Sequence, residues 1–343
     1  MNAHFASDPQ RARPPREAGA PLRILVTGAS GAVGSLLAPR LLLAGHGVRA
    51  FGRDASRIED ALSDQLLEAE LDEVEIVKGD ALTGEGLARA LDGIDVAYYL
   101  MHSMERSPGE PAPFTERELL AAENFATAAA RSGVARIVYL GGLLPRWELA
   151  DGHRPGSRHL ASREAVERIL FAAIPDSVAL RASIVIGERS RSFRFLVRLV
   201  ERLPVLTLPA WHRFRTQPID ARDVTEMLAA CADADISPGS LEVGGPDILT
   251  YGEMITQIAD LLLVSRPALR LGVSATPLAG RIAAALAGED PALVLPLMEG
   301  LQGDLLPADD HAADLLGVQL HSFASAVEHA LSEWEETEPL RAR

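Results

Sequence analysis

Residues 22–34 read LRILVTGASGAVG, and no other stretch constrains the chain as much. Residues 22–26 are rich in strand formers, and residues 35–44 carry a helical pattern. A strand, a glycine turn and a helix make the first half of a nucleotide-binding crossover. Gly28 lets the chain turn sharply out of the strand. Gly31 lets backbone amides approach a pyrophosphate, and Gly34 lets helix and strand pack closely. The helix start then offers N–H groups and a partial positive charge to phosphates. The spacing is GxxGxxG after Thr27, not the GxGxxG of ordinary dehydrogenases. Cofactor contacts are expected from Thr27, Gly28, Ser30, Gly31, Ala32, Val33 and Gly34; the alternative is a tight strand–helix turn with no ligand.

Further strands are expected at 47–51, 74–78, 94–101, 136–140 and 177–181, with long helices at 113–131 and 157–171. This alternation predicts a parallel, doubly wound sheet. Pro39 falls inside the first helix pattern and should kink it or remove one hydrogen bond. The second strand ends in Gly52 and Arg53, where such folds choose their cofactor. An acid there grips the ribose of NAD, whereas an Arg accommodates the 2′-phosphate of NADP. Arg53 therefore favours NADP, with NAD possible, unless it is only a solvated turn residue. Asp80 and Ala81, after the third strand, lie near the expected adenine pocket, although Asp80 could instead cap a helix near Thr83. The apolar fourth strand carries Leu100 and runs into His102 and Ser103, at the sheet edge where ligands sit.

Past Ala182 the rhythm loosens. A helix at 191–202 places Arg191, Arg194, Arg198 and Arg202 on one face, either solvated or facing an anionic substrate group. Trp211, His212, Arg213 and Arg215 follow. A helix at 220–232 is expected to return to the main domain, with a strand at 240–244, a helix at 250–263 and short helices beyond. The fold class is α/β: a Rossmann-type doubly wound parallel sheet with a smaller C-terminal α+β substrate region. The expected division is a disordered tail at 1–20, a dinucleotide domain at 21–182 rejoined by 218–234, a substrate region at 183–217 and 235–330, and a C-terminal tail at 331–343.

Composition narrows the function. The formal charge of -15 over 343 residues argues against non-specific binding to nucleic acid or anionic membranes. The single cysteine, Cys231, excludes an internal disulfide and a cysteine-based zinc cluster, and its neighbours suggest a small buried hydrophobe. No apolar run reaches transmembrane length, and residues 1–20 lack the hydrophobic core of a secretory signal. A cytoplasmic location is expected. The oligomeric state is not readable from the sequence.

TGASGAVG at 27–34, LRASIVIG at 180–187 and LEVGGP at 241–246 resemble short-chain dehydrogenases/reductases of the extended or atypical type. YYLMHSM at 98–104 and SRHLASR at 157–163 are similar to members related to the reductase-like accessory subunit of respiratory complex I. The resemblance implies a bound dinucleotide and a small-molecule substrate. It also implies a Tyr and Lys in YxxxK spacing with a Ser after the fifth strand. Here His159 and Arg163 stand at that spacing, and Gly141 and Gly142 stand in the Ser region. Arg163 could hold the cofactor ribose as the Lys does, and its charge would keep His159 neutral, able to act as a base near pH 7. His102 is the second catalytic candidate. Two functions are open: an NADP-dependent oxidoreductase on a small organic substrate, or a non-catalytic NAD(P)-binding protein serving as a redox sensor or assembly subunit. A nucleotide-sugar epimerase or dehydratase is more distant, since those lean on the missing Tyr and Lys.

Overall fold

A computed structural model describes residues 20–102, 114–145, 158–233, 235–270, 303–338 and 340. The strands are β1 (Arg23–Thr27), β2 (Gly47–Gly52), β3 (Glu75–Lys78), β4 (Val96–Tyr99), β5 (Arg136–Gly142), β6 (Val178–Ala182), β7 (Val185–Ile186), β8 (Leu206–Leu208), β9 (Arg215–Thr216), β10 (Ile219–Asp220), β11 (Gly239–Val243), β12 (Leu249–Thr250) and β13 (Ala268–Arg270). The helices are α1 (Gly34–Leu43), α2 (Ala55–Ser63), α3 (Glu68–Leu71), α4 (Leu87–Leu91), α5 (Phe114–Ser132), α6 (Arg158–Ala173), α7 (Arg191–Arg202), α8 (Ala221–Ala230), α9 (Tyr251–Leu261), α10 (His311–Leu316) and α11 (Phe323–Thr337).

Seven strands form one parallel sheet in the order β11-β6-β5-β4-β1-β2-β3. The order reverses between β1 and β4, which opens a crevice above their C-terminal ends. Strand periodicity divides the core in two. Ile24, Val26 and Tyr98 face one layer with Leu37 and Leu41 of α1, Ile58 of α2, and Val224 and Leu228 of α8. Leu25, Ala97 and Tyr99 face the other, with Leu91 of α4, Phe125 of α5, and Val166 and Leu170 of α6. Both faces are covered, so the strands read as apolar runs. α1 runs through Pro39 as one helix. Cys231 is fully buried, and burial pushes its thiol up to about 12.

The later chain gathers a third core. Phe193 and Val197 of α7, Ile255 and Ile258 of α9, and Phe323, Val327 and Trp334 of α11 pack together. Two expectations change here. α11 extends through residues expected to form a tail, because Leu331 and Trp334 are fully buried. The arginine row is also put to structural use. The guanidiniums of Arg194 and Arg198 lie 4.2 and 4.8 Å from the Trp334 ring centre, and both pair with Glu338. Residues 239–243, set above within the substrate region, form the β11 edge of the main sheet beside β6. Residues 1–19 and 271–302, where a tail and short helices were expected, lie outside the described residues. Among the described residues no helix is long and apolar enough to cross a membrane, and no side-chain group could hold a metal ion.

Two buried arginines lock the sheet's N-terminal edge. Arg49 donates to the carbonyls of Ala90 and Asp92 at 2.8 and 2.9 Å, holding the end of α4. Arg136 donates to Cys231 and Ile236 carbonyls at 3.2 and 2.8 Å, and to Asp176 at 2.8 Å, tying β5 to the end of α8. Arg136→Met strands those carbonyls and should cost about 1–3 kcal/mol in urea unfolding. Arg40→Met breaks a pair whose side chains are 41% and 45% exposed, and should cost under ~1 kcal/mol. Equal losses from the two variants would show that Arg136 is not a structural pin.

Candidate functional site

The glycine turn closes the C-terminal end of β1, directly beside the end of β4. Thr27 is fully buried, and its hydroxyl donates to the Tyr98 carbonyl at 2.9 Å and accepts from Leu100 N–H at 3.2 Å. Its side chain is thus spent on joining the two strand ends. Gly28 has φ +70°, and a Cβ there would sit 3.0 Å from the Leu100 carbonyl oxygen. A Cβ on Gly34 would sit 2.2 Å from the Gly28 carbonyl oxygen, which no side chain can do. Gly31 differs: a Cβ there would approach only that same oxygen, at 3.1 Å. The fold itself requires Gly28 and Gly34, whereas Gly31 borders an open cradle at the start of α1. That cradle fits a pyrophosphate held by backbone amides. Ser30 and Ala32 are half-buried on the same turn, and Val33 and Leu100 pack into the core beneath it.

At the end of β2, Arg53 is exposed, while Asp54 is committed as the N-cap of α2, accepting from Ser56 and Arg57 N–H at 3.1 and 3.4 Å. Asp80 accepts from Leu82 N–H at 2.9 Å and so caps a local turn. The helix expected near Thr83 begins only at Leu87, after a left-handed Gly86. Ala81 is buried, and its carbonyl accepts from Asn124 at 3.0 Å.

The three catalytic candidates come together. His159 and Arg163 stand on α6, and His102 follows β4. Arg163 is buried with its guanidinium against the His102 ring, 2.6 Å from Nε2 and in contact with Nδ1, and it donates to the Leu140 carbonyl at 2.7 Å. His102 Nδ1 lies 2.7 Å from the Met101 carbonyl. In the tautomer with Nδ1–H donating to Met101, Nε2 accepts from Arg163, and the guanidinium contact with Nδ1 is then packing rather than a hydrogen bond. Crowding and the Arg163 charge hold the His102 imidazole well below its ordinary value. Because His102 is exposed at its outer edge, the touching guanidinium is the firmer of these causes.

Glu118 on α5 completes the cluster. It is 1% exposed, lies 3.5 Å from Arg163, and accepts from the Ser162 hydroxyl. The Arg163 guanidinium also lies 5.3 Å from the Tyr139 ring centre. Burial raises the Tyr99 and Tyr139 phenols, so both stay protonated. Glu118 and Ser162 were missed from the sequence. A signal existed, since Glu118 falls on the same face of α5 as buried Ala121, Ala122 and Phe125. His159 requires a correction. Burial, then Arg163, pushes its imidazole down to about 3, and its Nδ1 is buried without a partner. It is neutral as expected, yet too weakly basic to serve as the general base expected of it near pH 7.

The model of the NmrA-like family matches residues 22–236. The chain belongs to the NmrA-like family. A segment of 123 residues is 35% identical to 3 beta-hydroxysteroid dehydrogenase/Delta 5-->4-isomerase of Mycobacterium tuberculosis, covering 34% of this chain and 30% of that protein. Another of 108 residues is 29% identical to NADH dehydrogenase (ubiquinone) 1 alpha subcomplex subunit 9, mitochondrial, of Arabidopsis thaliana, covering 31% of this chain and 27% of that one. This NmrA-like chain thus spans about three tenths of the length of the curated relatives it matches. The second match bears out the likeness to the complex I accessory subunit. UDP-glucuronic acid 4-epimerase from Bacillus cereus, solved with UDP-glucuronic acid and NAD, superposes with a TM-score of 0.67 at 17% identity, covering 92% of this chain and 100% of its own. Bordetella bronchiseptica WbmH, solved with NAD+, does so with a TM-score of 0.67 at 16% identity, covering 93% and 100%. These likenesses establish the Rossmann-type fold.

Two outcomes are expected. Gly31→Val should keep the fold with a modest loss in unfolding midpoint, since its Cβ would press on the Gly28 carbonyl oxygen at 3.1 Å, while abolishing dinucleotide titration, whereas Gly34→Val should lower stability far more. Unaltered titration in folded Gly31→Val would remove the cradle from the binding site. The second concerns acid. Folded His159 titrates near 3 and an unfolded His near 6.5, so the unfolded chain binds the extra proton between these values. The contribution from neutral His159 is complete above about pH 6.5 and falls as pH drops toward 3, by at most ~1.4 kcal/mol per unit. His159→Gln should lose less stability between pH 7 and pH 5 than the unmodified chain in urea unfolding.

Proposed function

We propose that the chain binds NAD(P)(H) across the β1/β4 crevice and works as an NADP-dependent oxidoreductase on a small organic substrate. The observation that carries this is the glycine cradle, closed where the fold needs it and open at Gly31, where a pyrophosphate would lie. Arg53 supplies a cation for a 2′-phosphate. The engagement of Asp54 in capping α2 through Oδ1 supports NADP, since it ties the nearest acid to the helix start rather than aiming it at a ribose. When bound, a reduced nicotinamide supplies a hydride. His102 and Arg163 line the sheet edge where that ring would lie, and Arg163 reaches a ribose only if His102 turns away from it. The part of the chain after Ala182, outside β11 and α8, would form the substrate side of the crevice.

Neither His102 nor His159 is an imidazolium at neutral pH, so neither is a strong proton donor. The reading therefore favours acceptors such as quinones, which take a hydride from NADPH and one proton from water to give the hydroquinone and NADP. A second reading is a non-catalytic cofactor-binding protein, a sensor or assembly subunit. It is favoured by the engagement of the Arg163 donors with His102, Glu118 and Leu140.

Titration by nicotinamide fluorescence tests the cofactor. NADPH should bind at least about tenfold more tightly than NADH, as a charged hydrogen bond is worth about 1.5–3 kcal/mol, and Arg53→Ala should erase most of the difference. Equal affinities in the unmodified chain would make Arg53 a turn residue. A screen of quinones and carbonyl compounds with NADPH then separates the two readings. On the catalytic reading, quinones turn over and His159→Ala keeps most of the rate. A loss of about 10²-fold or more would restore proton transfer by His159. Tight NADPH binding with no turnover favours the sensor or assembly role.

A further inference from the structure

We propose that Lys78 is a second specificity residue for the cofactor's 2′-phosphate, acting with Arg53 across the C-terminal ends of β2 and β3; this rests on the dinucleotide reading above. The two strands run parallel with Gly52 directly opposite Lys78, and Gly79 N–H donates to the Gly52 carbonyl at 2.9 Å. Neighbouring strands lie about 4.8 Å apart, so Lys78 and the residue that introduces Arg53 start from adjacent backbone positions on one edge. Val77 turns into the core at 2% exposure, and Lys78 emerges from the strand end exposed. Arg57, exposed on the first turn of α2, adds a third cation near this edge.

Three acids near Lys78 have partners of their own. Asp54 caps α2, Asp80 caps its own turn, and Glu75 is held by Arg49 at 2.6 Å. Among the described residues no ion pair engages Lys78. The formal charge of the chain is -15, so three cations close together run against its composition. A phosphate monoester carries close to two negative charges at neutral pH, and a single exposed cation holds it weakly against solvent and salt. Two cations on adjacent strands share that charge. Ribose hydroxyls alone would gain far less from either, because they bring no opposite charge. Lys78 suits the task because its flexible stem delivers a point charge without the fixed fork geometry of an arginine.

The experiment uses the full chain and its Lys78→Met and Lys78→Arg variants, titrated with NADPH and NADH at low and high salt. 2′-AMP and 5′-AMP serve as competing probes. Lys78→Met should weaken NADPH about tenfold and leave NADH within twofold, and Lys78→Arg should retain most of the NADPH affinity. 2′-AMP should compete better than 5′-AMP against the unmodified chain and lose that advantage in Lys78→Met. An unchanged NADPH-to-NADH ratio in Lys78→Met overturns the inference and makes Lys78 a solvated strand end. Equal binding of NADPH and NADH to the unmodified chain also overturns it, while the dinucleotide reading stands. Failure of both cofactors to bind removes the dinucleotide reading, and this inference with it.

Discussion

The approach of Gly34 to the Gly28 carbonyl is the contact on which the crevice depends. It brings the first turn of α1 down onto the end of β1, closer than any side chain permits. Gly31 N–H donates to Gly28 at 2.9 Å and Ser35 N–H to Gly31 at 3.0 Å, so the turn is bound to itself before any ligand arrives. Thr27 then links β1 to β4, the two strands between which the sheet order reverses. The crevice and the glycine turn at its floor are set by backbone contacts and by the Thr27 hydroxyl. This accounts for a likeness of fold to enzymes sharing under 20% identity over nearly the whole chain.

The second constraint is electrostatic. Arg163 and Glu118 are an almost dry pair, 5% and 1% exposed at their side chains, in a region where an unpaired charge would be prohibitive. Their partners share the load. Ser162 satisfies one Glu118 oxygen, and Leu140 and His102 take guanidinium protons. The pair bolts α5 to α6 and both to the ends of β4 and β5, and its cation adds to burial in keeping the two histidines neutral. A dry cation beside an imidazole makes its protonation costly.

Much of the fold was legible in the sequence, for a physical reason. Strands covered on both faces read as apolar runs, and α7 was placed at its observed bounds because its arginines recur at helical spacing. What failed was partnership at long range. Nothing local in residues 331–337 says that Trp334 is to lie under Arg194 and Arg198, more than 130 positions earlier in the chain, so a buried helix read as a tail. The site divides likewise. Gly28, Gly31 and Gly34 declare their roles through spacing, and His159 with Arg163 through the YxxxK interval. Glu118 carries no motif. Its burial follows from tertiary packing, and so does the burial of His159, which together with Arg163 holds that imidazole far below its ordinary value.

Charge balance at the nicotinamide end bears on the choice between turnover and sensing. Oxidised and reduced nicotinamide rings differ by one positive charge. A lone buried arginine would favour the reduced form strongly, since unit charges at a few ångströms interact by about 4 kcal/mol even at an effective dielectric of 20. Glu118, 3.5 Å from Arg163, cancels most of that field, leaving a dipole whose influence falls off faster with distance. Discrimination between the two oxidation states by charge is correspondingly weak. A sensor built on this site would have to read the ring through shape, by whether His102 stays against Arg163 or yields its place to the cofactor ribose. An oxidoreductase needs no such preference, because it must bind one form and release the other. On the proposed function, the compensated pair sits more naturally with turnover than with charge-based sensing, and the position of His102 would distinguish a loaded site from an empty one.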